Sequence, residues 1–105
     1  MQTPLKIEEN SKKNALIGIV SDKYSGIILE TIMYKPKSVI EITADTGIPI
    51  STVYRRIQTL CDNKLLKTSG SISQDGKKFF IYKSKIKSIN ADFNEGKIKV
   101  EIILN

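Results

Sequence analysis

One short stretch of the sequence combines arginine and hydroxyl side chains at helical spacing. Over residues 51–63 the apolar side chains recur every three or four positions, which predicts a helix with one buried face. Arg55 then points almost directly away from that face. An arginine in this position can bind guanine O6 and N7 as a fork, or it can bind phosphate. Further candidate contact residues lie on the outer side and flanks of the same helix, namely Ser51, Thr52, Tyr54, Arg56 and Thr59.

This helix has two possible interpretations. Hydroxyls near a helix N-terminus can hold a phosphate oxygen together with free backbone N–H groups, and the outer face has no acid before Asp62. The simpler alternative is that Arg55 and Arg56 form an ordinary solvated surface. Tyr54 is equally suited to binding and to packing between helices. Cys61 is expected to be a small core residue.

Two further helices are predicted before this one. Ser21 and Asp22 are favourable N-cap residues for the first, and Pro36 places its end near Tyr34, because the residue before a proline avoids helical geometry. Ser38 and Glu41 form a capping box at the start of the second, in which each side chain binds the other's backbone N–H.

A glycine and a proline separate the second helix from the third. Gly47 supplies the left-handed geometry that ends the second helix, and Pro49 blocks its continuation. The third helix therefore begins at Ile50 or Ser51. We expect it to end at Asn63, a residue that tolerates positive φ.

After the third helix the hydrophobic period changes to two, which is typical of strands. Asp75 and Gly76 form a strong turn signal, and Gly70 predicts a bulge. A short helix, a glycine-containing turn, a longer helix and a hairpin have the order of a helix-turn-helix motif, whose second helix lies in the DNA major groove. Two hairpins are predicted, strands 66–72 with 77–84 and strands 86–93 with 97–104.

These residues resemble a known family. Residues 49–57 (PISTVYRRI), then Leu60 and the run Lys64-Leu65-Leu66, are similar to winged helix-turn-helix transcription regulators, and in particular to the arsenical-repressor-like branch with its many archaeal members. The resemblance covers about residues 15–84. It implies an α+β fold, with a three-helix core and a β-hairpin wing that lies on the DNA backbone or in the minor groove. The DNA contacts it implies are Ser51, Thr52, Arg55 and Arg56 in the recognition helix 51–63 and Gln74, Lys77 and Lys78 in the wing.

The sequence departs from that family at several positions. Lys64 stands where the family often has a glycine, so the helix end must be capped differently, through Asn63. Thr46 replaces a large apolar residue, which predicts looser packing of the second helix. The two wing lysines have an alternative role in solubility or in discouraging edge pairing. No effector pocket can be identified.

The net charge of +6 belongs entirely to the second half of the chain. Residues 1–50 hold six lysines and six acids, whereas residues 51–105 hold eleven basic residues and five acids. Such a surface favours a polyanion, nucleic acid before an anionic membrane, because the basic helix has no exposed apolar face beside it. We therefore expect no membrane association.

The chain lacks the residues that most catalytic and metal sites need. It contains no histidine and one cysteine, which excludes an internal disulfide, a Cys/His zinc cluster and histidine-based catalysis. We expect no enzymatic activity, no cofactor and no metal. A cytoplasmic location is expected, since a free thiol fits a reducing compartment and no targeting segment is visible.

The predicted organisation is a flexible N-terminal arm (1–13), a winged-helix domain (14–84) and a C-terminal hairpin (85–105). Residues 15–20 are ambiguous between helix and strand. The hairpin could fold back on its own domain, but we favour a homodimer interface, with the N-terminal segment as a competing dimer element. The expected function is a sequence-specific regulator of transcription that binds double-stranded DNA. The alternative is a protein-interaction module in a larger assembly.

Overall fold

The computed structural model describes residues 3–105. They form an α+β fold of four helices and five strands, which confirms the predicted class. The strands make two antiparallel sheets, one of three strands in the order β1-β5-β4 and one of two strands, β2-β3. The elements are β1 (Leu5–Ile7), α1 (Asn10–Ser21), α2 (Lys23–Thr31), α3 (Val39–Thr46), α4 (Ile50–Asp62), β2 (Leu66–Ile72), β3 (Lys78–Ser84), β4 (Ile86–Asn94) and β5 (Lys97–Leu104).

Local capping chemistry fixes where α2 and α3 begin. The carboxylate of Asp22 accepts a bond from the Ser25 N–H at 2.8 Å. The predicted capping box is confirmed, since the Glu41 N–H donates to the Ser38 hydroxyl at 3.2 Å and the Ser38 N–H donates to the Glu41 carboxylate at 3.0 Å. Gly47, at φ 74°, ends α3 as predicted.

The helix α4 ends in a Schellman motif centred one residue later than expected. Asn63 is the C-cap but keeps φ at −92°, and Lys64 takes the left-handed conformation at φ 59°. The Lys64 N–H donates to the Cys61 carbonyl at 2.9 Å, and the Leu65 N–H donates to the Leu60 carbonyl at 3.0 Å. The assignment of positive φ to Asn63 is therefore wrong. The left-handed conformation of Lys64 reverses the chain direction, and the next residue, Leu65, is buried in the core.

The helix α2 ends three residues earlier than the proline signal predicts. Its last residue is Thr31 rather than one near Tyr34, and the buried Ile32 is already non-helical at φ −110°. At this point the Ile32 carbonyl accepts the Ser84 N–H of β3 at 2.9 Å, and further on Lys37 pairs with Tyr82 through reciprocal backbone bonds of 3.0 and 2.8 Å. The segment after Thr31 is thus bonded to β3 instead of continuing the helix.

The N-terminal segment is ordered by pairing with the far end of the chain. Leu5 lies opposite Ile102 and Ile7 opposite Val100, so β1 adds a third strand to the C-terminal hairpin. The prediction of a flexible arm is therefore wrong for residues 5–13; residues 1 and 2 lie outside the described part of the chain. The ambiguous segment 15–20 is helical and belongs to α1.

The two hairpins differ in regularity. The β2-β3 register runs unbroken past Gly70, so the bulge predicted there is wrong. The irregularity lies between Ile86 and Ser88, at the start of β4. The β4-β5 turn has positive φ at both Glu95 and Gly96, as a two-residue type I′ turn requires.

The core lies among the four helices and extends to the base of the C-terminal hairpin. Ile86 is buried at this base and Val100 is buried midway along the hairpin, so the hairpin packs against its own domain. At the far end Phe93 is 74% exposed, and Lys13 of α1 donates to the Ile98 carbonyl at 3.4 Å. The molecule is 56 Å long. Within residues 3–105, none of the helices is both long and apolar enough to cross a membrane. The helical part of the core consists of Leu16, Ile19, Ile28, Leu29, Val39, Ile42, Val53, Ile57 and Leu60, and Ile32 packs beside it just after α2.

Candidate nucleic-acid interface

The helix α4 has one buried face and one solvent face, as its spacing predicts. Val53, Ile57 and Leu60 are buried against the other helices. On the opposite side, Arg55 is exposed, and its guanidinium makes no hydrogen bond or ion pair within the described residues. Its charge therefore remains available to an external anion. The other exposed candidates on this helix are Ser51, Tyr54 and Thr59.

Arg56 is placed quite differently from its neighbour. Its Nε donates to Asp22 Oδ2 at 2.8 Å and its Nη2 to Oδ1 at 3.3 Å, and the guanidinium lies 5.7 Å from the centre of the Tyr24 ring. Arg56 and Asp22 are each 28% exposed. The sequence analysis places Arg56 on the flank of α4 and selects it as a DNA contact beside Arg55, but in the structure Arg56 joins α4 to the start of α2.

The bond from Arg56 also sets the charge state of its partner. It lowers the pKa of Asp22 from 3.8 to about 2, with further lowering by the hydrogen bonds from Ser25, while desolvation acts in the opposite direction. The pair is ionised at neutral pH. An external phosphate would have to compete with a fully charged carboxylate for this guanidinium.

The two threonines of α4 are also less free than the sequence indicates. The Thr59 hydroxyl donates to the Arg55 carbonyl at 3.2 Å, within the same helix, and Thr52 is half-buried. Ser51 is exposed in the first turn of the helix, where backbone N–H groups have no helical partner. Of the serine, threonine and arginine side chains predicted to contact DNA in α4, Ser51 and Arg55 therefore remain exposed and without an internal side-chain bond.

Hydrogen bonds within the β2-β3 turn fix the backbone that carries its lysines. The Ser73 N–H donates to the Lys77 carbonyl at 2.9 Å, and Gly76 takes φ 83°. The Ser73 hydroxyl donates to the Asp75 carboxylate and lowers the pKa of Asp75. The exposed Asp75 carboxylate is thus bonded within its own turn. The predicted wing contacts around it, Gln74, Lys77 and Lys78, are all exposed.

The structure brings a set of aromatic side chains next to Tyr54 that the sequence analysis did not select. They come from β3, which with the start of α3 encloses a groove of about 280 Å³. The signal that could have revealed them is the strand period, which places Lys78, Phe80 and Tyr82 on one face of β3. Their approach to α4 depends on tertiary packing.

Two further predictions concern packing. Cys61 is half-buried beside the Thr68 hydroxyl, with its Sγ at 3.9 Å. Thr46 fills its position with hydrogen bonds rather than apolar contact, because its hydroxyl donates to the Ile42 carbonyl at 2.6 Å and accepts from the Ile48 N–H at 3.2 Å. In the described part of the chain, no three side chains of the metal-binding types come together.

Comparison of this chain with protein-family models, with curated proteins and with solved structures gave no match.

Proposed function

We propose that this protein is a winged-helix regulator of transcription that binds double-stranded DNA sequence-specifically. In this proposal α2, α3 and α4 are the three-helix core, α4 is the recognition helix and β2-β3 is the wing. The glycine-ended α3, followed directly by the longer α4, supports the helix-turn-helix part. The backbone bridge between Lys37 and Tyr82 supports the winged part, since it joins the segment between α2 and α3 to the hairpin.

The observation that carries the proposal is the free guanidinium of Arg55 on the outer face of α4. An exposed arginine without an internal partner can bind a guanine edge in two places at once, which distinguishes one base pair from another. Ser51 lies one turn before it and can hold a backbone phosphate. Together they offer one contact that reads sequence and one that fixes position.

The hairpin beside α4 supplies the sequence-independent part of binding. Lys77 and Lys78 are exposed at the turn, and the one acid there, Asp75, is bonded to Ser73. Lysines that neutralise phosphates release condensed counterions, so the affinity should fall steeply as salt rises.

The proposed function is tested by selecting bound duplexes from a random pool and measuring affinity for the selected site and for a scrambled one over a range of salt. We expect a clear preference for the selected duplex at every salt concentration, with affinity falling linearly on a logarithmic salt scale. Binding that is equal on both duplexes would reject sequence-specific regulation. No duplex binding even at low salt would favour the alternative of a protein-interaction module.

We further propose that the regulator acts as a homodimer in the cytoplasm. Twofold dimers read two half-sites, and the exposed end of the C-terminal hairpin, with Phe93 and Ile98 on one face, offers an apolar surface for a second copy. The free Cys61 is compatible with a reducing compartment. Sedimentation equilibrium at micromolar concentration tests the dimer, and a monomeric mass would contradict it.

A further inference from the structure

The groove between α4 and β3 combines exposed aromatic rings with positive charge. Tyr54 is 57% exposed and Phe80 is 61% exposed, although both side chains have large apolar surfaces. Neighbouring aromatic side chains that both remain exposed form a contiguous apolar surface, which is typical of a binding site. The groove has a volume of about 280 Å³ and is lined by Ile40, Tyr54, Lys78, Phe79, Phe80 and Tyr82.

The strand geometry explains why Phe80 remains uncovered. Its cross-strand partner in β2 is Gly70, which has no side chain to lie against the ring, and the space around the position a Cβ would occupy at Gly70 is empty to 4 Å. Lys78 and Tyr82 lie two residues to either side of Phe80 on the same strand face. The ring therefore stands between a cation and a second aromatic, with one side open.

The charge of the groove selects the chemistry of its occupant. Among the described residues, none of those lining it is acidic. The acids nearest to its α3 wall are already engaged: Glu41 in the capping box with Ser38, and Asp45 in an ion pair with Lys37 at 2.6 Å. A protein partner would favour an apolar centre without a lysine, whereas a nucleic-acid strand needs both stacking rings and cations.

Fully paired DNA cannot stack its bases on these aromatic rings. The faces of paired bases are covered by their neighbours in the stack, so a protein can reach only base edges, sugars and phosphates. The face of a base becomes available to Phe80 and Tyr54 where the strand is unpaired. Stacking on aromatic side chains is tolerant of base identity, because every base has a π-face.

We propose that this groove binds unpaired bases of single-stranded DNA, which stack on Phe80 and Tyr54 while Lys78 contacts the adjacent phosphate. The inference deepens the proposed function and rests on it, since the groove borders the same helix and wing that face duplex DNA. The protein then holds a duplex through Arg55 and an adjoining unpaired segment through the groove. Its preferred substrate is DNA that is partly opened.

The test uses three substitutions in the full chain and two probes, labelled oligo(dT) and the selected duplex. Phe80→Leu keeps apolar bulk but removes the π-face, whereas Phe80→Trp keeps the π-face and introduces the chain's first tryptophan. Tyr34→Leu, the control, removes a 73% exposed aromatic ring that does not line the groove. The three substitutions change two positions, both exposed, so a circular dichroism spectrum and a melting curve suffice to show that each variant is folded.

We expect Phe80→Leu to weaken oligo(dT) binding about tenfold and to leave duplex affinity unchanged. Phe80→Trp should bind oligo(dT) as tightly as the wild type, with its tryptophan emission quenched by the stacked base. Tyr34→Leu should behave as the wild type on both probes. Equal affinity of wild type and Phe80→Leu for oligo(dT), or an unquenched tryptophan in a complex that forms, would overturn the groove proposal.

The two proposals fail in different ways. If the wild type binds the selected duplex but not oligo(dT), the duplex regulator stands and the groove proposal is wrong. If it binds oligo(dT) in a Phe80-dependent way but no duplex, the groove proposal is supported and the regulator is wrong. If it binds neither probe, both are wrong.

Discussion

Arg56 of α4 donates two hydrogen bonds to the carboxylate of Asp22, the residue that caps α2. The same carboxylate accepts from the N–H and the hydroxyl of Ser25, at 2.8 and 2.7 Å. One acidic group thus fixes the start of one helix and the position of another. The candidate recognition helix is held from the α2 side, which leaves Arg55 as the guanidinium of α4 directed to solvent.

This relationship predicts coupled losses of stability. Asp22→Asn keeps an N-cap of similar strength but removes the negative charge that Arg56 binds. We expect it to lower the free energy of unfolding by about 1–2 kcal/mol, as for a partly exposed charge-assisted pair. Arg56→Ala should cost a similar amount, and the double variant little more than either, in urea denaturation. Arg55→Ala is the matched control and should stay within about 0.5 kcal/mol of the wild type. Fully additive losses for the pair would contradict the coupling.

The pH dependence of stability follows from the same carboxylate. The pKa of Asp22 is about 2 in the folded protein against 3.8 ordinarily, chiefly because of the bond from Arg56. A lowered folded pKa means that its contribution is complete above about pH 4 and is lost as the pH falls toward 2. We expect wild type and Asp22→Asn to converge by about 1 kcal/mol over that window, after allowance for solvent screening. Urea midpoints measured at each pH test this; Asp75 titrates in both proteins and cancels. Parallel curves would contradict it.

The end of α4 predicts a substitution that stabilises the protein. Lys64 is strained in its left-handed conformation at φ 59°, which a glycine adopts without strain. Lys64→Gly should raise the free energy of unfolding by about 1 kcal/mol, since the Schellman bonds to Leu60 and Cys61 use backbone atoms alone. Lys64→Ala, which keeps the strain but removes the charge, is the control and should change little. A loss of stability in Lys64→Gly would show that the lysine side chain matters more than the backbone.

The features that sequence predicts well in this protein are those set by local chemistry. Ser38 and Glu41 lie three residues apart, so their capping box depends on nothing beyond α3. Gly47 is a glycine at a helix end, and its left-handed φ follows from its lack of a Cβ. The strand period and the Asp75-Gly76 signal likewise predict the β2-β3 hairpin to within one residue.

The features that sequence misses are pairings across long separations. Leu5 meets Ile102, and three residues of alternation in β1 are too few to predict a strand. Arg56 and Asp22 lie 34 residues apart, and an N-cap aspartate gives no sign of a second partner. The site is therefore predictable at Arg55, where helical geometry alone decides exposure, and unpredictable at Arg56, where tertiary contact decides it.

Arg55 predicts a specific loss of sequence discrimination. Because its guanidinium has no partner in the described part of the chain, Arg55→Ala should leave folding intact and remove one base contact. We expect the preference for the selected duplex over a scrambled one to fall by roughly 1–3 kcal/mol, with relaxed specificity at one base position. Arg55→Lys, which keeps the charge but not the fork, should lose most of the same preference. Fluorescence anisotropy on both duplexes measures it, and equal weakening on the two would rule out base reading by Arg55.

A substitution in the wing is expected to weaken binding equally for every DNA sequence, unlike one at Arg55. Lys77 is exposed at a turn whose only acid is bonded to Ser73, so its charge is free to meet a phosphate. Lys77→Ala should weaken selected and scrambled duplexes alike and reduce the slope of log affinity against log salt by about one unit, because one fewer counterion is released. Lys35→Ala, at an exposed lysine outside both hairpins and α4, is the matched control and should leave the slope unchanged. If both substitutions shift the slope equally, the loss reflects net charge rather than a wing contact, and β2-β3 does not lie on the DNA backbone.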